Sequence, residues 1–157
     1  MTGEFFQIAL IGALAALLIA AAITDLRARI ISNRLNLAVA ALAPLWWLAC
    51  GLEVWPGMAV QLLVGAIVFI LFAALFAAGM MGGGDVKLLG ALALWFPWQV
   101  VLSLIVLMAV LGGLVTIVTV IHHRMNKKPG QPEIPYGVAI SISALWLIGE
   151  RYLNHFA

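Results

Sequence analysis

Long apolar runs constrain this chain before anything else does. Residues 5–24, 35–50, 58–79, 99–121 and about 137–153 are apolar almost throughout, and a run of roughly 17 to 25 such residues crosses the hydrocarbon core of a bilayer as a helix. Asp85 to Trp98 then has to serve as a short fourth helix. Six helices use up most of the 157 residues, leaving no room for a soluble domain. The expected fold is all-α: one transmembrane domain, residues 1–157, built as a bundle of about six helices. A chain that is 66% apolar and only 9% charged excludes a water-soluble fold.

The first run ends in small residues, as a cleaved signal peptide would, but Glu4 is the only charge before it and Arg27 and Arg29 follow it. That reverses the charge order of a signal peptide, so the run is expected to stay as a helix with its N-terminus outside. Arg27, Arg29, Arg34, Lys87, Arg124, Lys127 and Lys128 then share one face, and Arg151 alone falls on the other. The positive-inside rule assigns the crowded face to the cytoplasm. The net charge of +2 follows from this topology, and no nucleic-acid partner is implied.

One cysteine, Cys50, allows neither an internal disulfide nor a cysteine-based zinc site, and packing is its expected role. His122 and His123 are adjacent and would point about 100° apart on a helix, which reads as a solvated helix end. No metal and no cofactor are expected. The polar stretch 122–137, with a glycine and three prolines, is expected to form a cytoplasmic loop entering the last helix. Most of the six tryptophans read as interfacial anchors at outer helix ends.

Two aspartates stand out against this background. The first run delivers the chain to Asp25 and the third, running the same way, delivers it to Gly82-Gly83-Gly84-Asp85, so both carboxylates lie near the cytoplasmic side. The fourth helix rises only about 20 Å at 1.5 Å per residue, short of a core of roughly 30 Å. With Trp95 and Trp98 pinning its outer end at the interface, Asp85 is expected below the cytoplasmic surface. A carboxylate at that depth is costly and marks a functional site by default. The three glycines offer positive φ angles and close backbone approach, a place for an extended substrate backbone.

Two facing carboxylates cannot both ionise easily and titrate as a pair. The ionised member can take a proton from a water while the protonated one polarises a scissile carbonyl, which is aspartic-protease chemistry. Each aspartate alone also reads as a helix cap or a topological residue. A small proton-coupled transporter with a carboxylate relay is the competing function, although it needs a polar path through both halves of the membrane and the outer halves are poor in polar groups. An inert membrane scaffold is a third reading.

The segments DLRARIISNRLN (25–36), GGGDVKLLGA (82–91) and IPYGVAI (134–140) resemble the type IV prepilin peptidase family, specifically its short, peptidase-only members of the TadV/CpaA kind that serve Flp/Tad pili. The resemblance covers nearly the whole chain. It implies a multi-pass bacterial inner-membrane endopeptidase whose active site faces the cytoplasm, with Asp25 and Asp85 as the catalytic pair and Gly82 and Gly84 as the motif glycines. The implied substrates are prepilins and pseudopilins, cleaved typically just after a glycine, and the implied surroundings are membrane lipid. Family members commonly have Ile-Pro-Asn where this chain reads Ile31-Ser32-Asn33; a serine there can still start a helix as its N-cap. The methylating domain with paired CxxC motifs found in longer members is not expected.

Lys87 has two readings: stabilising the ionised pair or a substrate carbonyl, or anchoring in the headgroups. Pro135, Tyr136 and Gly137 are expected to shape the cavity wall. Glu133 is a weaker candidate for contacting a basic leader.

Overall fold

The computed structural model describes residues 2–126 and 134–153; Lys127, Lys128 and Glu133 lie outside the described residues. The elements are helices throughout: α1 (Thr2–Ala28), α2 (Asn33–Ala49), a π-helical turn (Val54–Met58) leading into α3 (Ala59–Ala77), α4 (Gly83–Ala93), α5 (Trp98–Met125) and α6 (Tyr136–Leu153). Three of them have the length and apolarity to cross a membrane, over Gly3–Ala28, Val54–Ala77 and Trp98–Met125. The other three stop short of that. α2 has 17 residues and α4 only 11, while α6 carries Glu150 and Arg151 near its end.

Polarity is distributed inside out. Large apolar side chains such as Ile70, Leu71, Val106, Val110 and Val118 face outward, whereas Asp25, Asn36, Gln61, Asp85, Ser141 and Ser143 are buried. A water-soluble protein would not expose so continuous an apolar surface, but a bilayer solvates it.

α1 packs against α2 and α6, α5 packs on α6, and α4 sits in the middle against α2, α3 and α6. Its position explains its sequence. Every residue from Leu88 to Ala93 is buried, and so are Asp85 and Val86. At 1.5 Å per residue α4 is about 16 Å long, so its last carbonyls stop inside the bundle, where water cannot satisfy them. Side chains do so instead. Trp47 Nε1 donates to the Leu94 carbonyl at 2.7 Å, and Gln61 Nε2 donates to the carbonyls of Leu94 and Phe96, both at 3.2 Å. Gln61→Leu would withdraw these donors from buried acceptors, and a loss of about 1–3 kcal/mol is expected in the unfolding free energy measured in micelles.

Two expectations are corrected here. Trp47 and Trp95 are not interfacial anchors: both are buried, Trp95 Nε1 donates to the Val39 carbonyl at 2.9 Å, and its ring stacks on Trp46 at 5.9 Å. An indole joins a large apolar body to one donor, which suits it equally to an interface or to an orphan carbonyl in a core. Trp55, Trp98 and Trp146 do face outward. The polar stretch also starts later than expected, because α5 runs on through His122 and His123 to Met125, and Asn126 then turns back on His122 at 2.9 Å to the carbonyl.

Candidate active site

Asp25 stands one turn before the end of α1. Arg29 N–H closes that turn on the Asp25 carbonyl at 3.0 Å, and Arg29 itself has φ of 54°, the left-handed conformation that ends many helices. Three residues later Ser32 opens α2, its hydroxyl accepting the Leu35 N–H at 3.3 Å. The serine that replaces the usual proline is therefore an N-cap, as expected. Between the two helices the chain buries Ile31.

The Asp25 carboxylate meets the first turn of α6. Val138 N–H donates to Asp25 Oδ2 at 3.1 Å, and the free N–H groups of a helix start, with its dipole, favour a negative charge. Gly137 makes this approach possible: a Cβ there would lie 2.9 Å from Asp25 Oδ2 and 2.5 Å from Ile31 Cδ1. Pro135 is buried just before the helix, and Tyr136 begins it with its ring against Gly112 of α5. The start of α6 thus packs directly on the first aspartate, through the Val138 N–H and the bare Cα of Gly137.

Asp85 occupies the first turn of α4. Its side chain folds back on Gly82, the N-cap, accepting that residue's N–H; a Cβ on Gly82 would stand 2.8 Å from Asp85 Oδ2. The place of Asp85 in the first turn, folded over the N-cap residue, is that of a helix-capping carboxylate. The expected positive φ angles are absent from the triplet: Gly82 is extended at φ −71°, and Gly83 and Gly84 already belong to α4. Gly79, with φ of 71°, makes the left-handed turn. Close approach is what the triplet needs. Gly83 lies against the Phe76 ring at 3.2 Å from the would-be Cβ, and Gly84 lies at 3.2 Å against Ile31.

Ile31 therefore touches both Gly84 and Gly137, and the segments bearing Asp85 and Asp25 converge on it. The aspartates, sixty residues apart in sequence, are brought close enough for the charge of Asp25 to act on Asp85. Burial first, and that charge second, push the Asp85 carboxyl from 3.8 up to about 7, against the smaller pull of the Gly82 N–H. α4 is too short to span a membrane, and the burial comes from the protein around it.

A linkage consequence follows. Because folded Asp85 holds its proton more tightly than the unfolded chain does, stability present below pH 3.8 is lost as pH rises toward 7. Asp85→Asn removes that loss. At pH 8 the variant is expected to be more stable than wild type by up to about 4 kcal/mol, with little difference at pH 4, as melting midpoints across that range in micelles will show.

Asn36 escaped the sequence reading. It is buried, and its Nδ2 donates to the Gly84 carbonyl at 3.1 Å, fixing the glycine turn from α2, while its Oδ1 has no protein partner. A buried amide inside an apolar run was the available signal. Lys87 is exposed, and its ammonium donates to Asn33 Oδ1 at 2.8 Å, tying α4 to the start of α2. No cluster of three or more potential metal ligands occurs among the described residues.

Fold and site together define a helical, lipid-facing protein with a pair of buried carboxylates joined through glycine contacts. Residues 12–117 match the type IV leader peptidase family, and the chain belongs to that family. The matched segment holds both aspartates and the glycine triplet, and ends before Pro135, Tyr136 and Gly137. Neither a curated protein nor a solved structure matches the chain.

Proposed function

We propose that the chain is an aspartic endopeptidase that removes the leader peptides of type IV or Flp-type prepilins and pseudopilins at the cytoplasmic border of the bacterial inner membrane. In this reading all six helices lie in the membrane with the N-terminus outside, and Asp25 and Asp85 are the catalytic pair. The observation that carries it is the convergence of two buried aspartates from distant helices, close enough for one charge to act on the other.

The surroundings of the two carboxylates suggest different roles. Asp25, held by the Val138 N–H at the start of α6, is placed to carry the charge of the pair; Asp85 keeps its proton to about pH 7. Asp25 takes a proton from a water, whose oxygen bonds to the scissile carbonyl carbon, while Asp85 gives its proton to the carbonyl oxygen. Collapse breaks the C–N bond. The proton on Asp25 passes to the leaving amine, and Asp85 recovers one from the tetrahedral hydroxyl. Gly82, the exposed member of the triplet, keeps the turn beside Asp85 open to the substrate backbone, Gly83 and Gly84 let that turn pack on Phe76 and Ile31, and Lys87, at the rim, positions the turn through Asn33.

This chemistry uses no metal or cofactor. Incubating the purified chain with a prepilin and reading the products by mass is expected to show one cut, just after a glycine, undiminished by a chelator. Loss of cleavage on chelation, or cuts scattered through the substrate, would overturn it.

The pH dependence is also set by the pair. kcat/KM is expected to fall above an apparent value near 7, where the pair loses the proton that Asp85 must supply, and to fall again in acid as Asp25 is protonated. A rate that stays level from pH 6 to 9 would contradict this division of roles.

A further inference from the structure

At the end of the bundle away from the aspartates lies a cavity of about 500 Å³, a size typical of ligand pockets. It lies between the N-terminal half of α1, the ends of α2 and α6, the start of α3 and the junction of α4 with α5. Ile11 and Leu14 line it, roughly 16–21 Å along α1 from Asp25 at 1.5 Å per residue. Its walls are aromatic, formed in part by the stacked Trp46 and Trp95 and by Phe96. Two ionisable side chains line it, Arg151 and Cys50, and no carboxylate does so among the described residues. Both line this one cavity, Cys50 from the end of α2 and Arg151 from near the end of α6.

We propose that this cavity is a binding site for an anionic phospholipid, with an acyl chain among the aromatic walls and the headgroup phosphate on Arg151. The apolar lining excludes a polar metabolite, and a cation without a lining carboxylate selects a negative headgroup over a zwitterionic one. Trp47 and Gln61, which hold the terminal carbonyls of α4, are part of the same wall, so the lipid rests against the support of the helix that carries Asp85. The site is independent of the peptidase reading.

Cys50, the chain's only cysteine and exposed at this cavity, is a built-in reporter. The rate of its alkylation by N-ethylmaleimide, followed by intact mass on the full chain in neutral micelles, is to be measured with added phosphatidylglycerol, phosphatidylcholine or palmitate. Phosphatidylglycerol is expected to slow alkylation at least fivefold, with phosphatidylcholine and palmitate far weaker, and Arg151→Gln is expected to abolish the protection while Arg151→Lys keeps part of it. A cysteine placed at the exposed Trp55 in a Cys50→Ser background reports general surface charge, and its rate should not change. Equal protection by phosphatidylcholine, stronger protection by palmitate, protection surviving Arg151→Gln, or equal slowing at position 55 would each overturn the proposal.

Discussion

Asp25→Asn and Asp85→Asn are each expected to lower prepilin cleavage by roughly 10³-fold or more, since a positioned general acid or base contributes about 10²–10⁴ and the proposed reaction has the two act on one water and one carbonyl. The double variant should be no worse than the poorer single one, because groups that work as a unit are not additive when removed. Folding is not the cause of the loss: Asp85→Asn is the variant expected to gain stability at neutral and higher pH. Purified variants with wild-type helical content, compared by single-turnover cleavage, separate these effects. A single variant retaining more than a tenth of the wild-type rate would remove that residue from the chemistry.

Gly137→Ala is the second large effect. The new methyl would sit 2.5 Å from Ile31 Cδ1 and 2.9 Å from Asp25 Oδ2. Ile31 can turn its terminal methyl away, but the carboxylate then has to leave the Val138 N–H or the start of α6 has to retreat. Displacement of a catalytic group by about 1 Å costs on the order of 10²-fold, and a loss of that size is expected in kcat more than in KM. Gly149→Ala in the same helix is the control, since nothing lies within 4 Å of its would-be Cβ. Equal activity in the two variants would mean that α6 does not position Asp25.

What was legible in the sequence follows the cost of burying charge. Asp25 and Asp85 stood out because a carboxylate at the edge of an apolar run demands a reason, and the chain direction of α1 and α3 put them at one depth. The glycine triplet was found for a reason that needed correcting: spacing cannot distinguish a glycine that needs positive φ from one that needs an absent side chain, and Gly82, Gly83 and Gly84 are of the second kind. Asn36 and Gln61 were passed over, and Trp47 was read as an interfacial anchor. Their partners are backbone carbonyls of Gly84, Leu94 and Phe96, and the last two need donors because α4 ends inside the bundle. A short helix was legible from its length, but which distant side chains close its end depends on packing. Gly137 shows the same limit. It was read with Pro135 and Tyr136 as part of a cavity wall, whereas its close approach to Asp25 and Ile31 arises from facing α1 across the bundle.

The central claim is that Asp25 and Asp85 form one cleaving pair. Its most direct test is co-expression of the chain with a small Flp-type prepilin in a host lacking prepilin peptidases, comparing wild type, Asp25→Asn and Asp85→Asn by the size of the pilin on a gel. The account predicts the shorter, processed pilin with wild type alone and full-length prepilin with either variant at equal membrane abundance. Processed pilin in either variant lane at the wild-type level would contradict it.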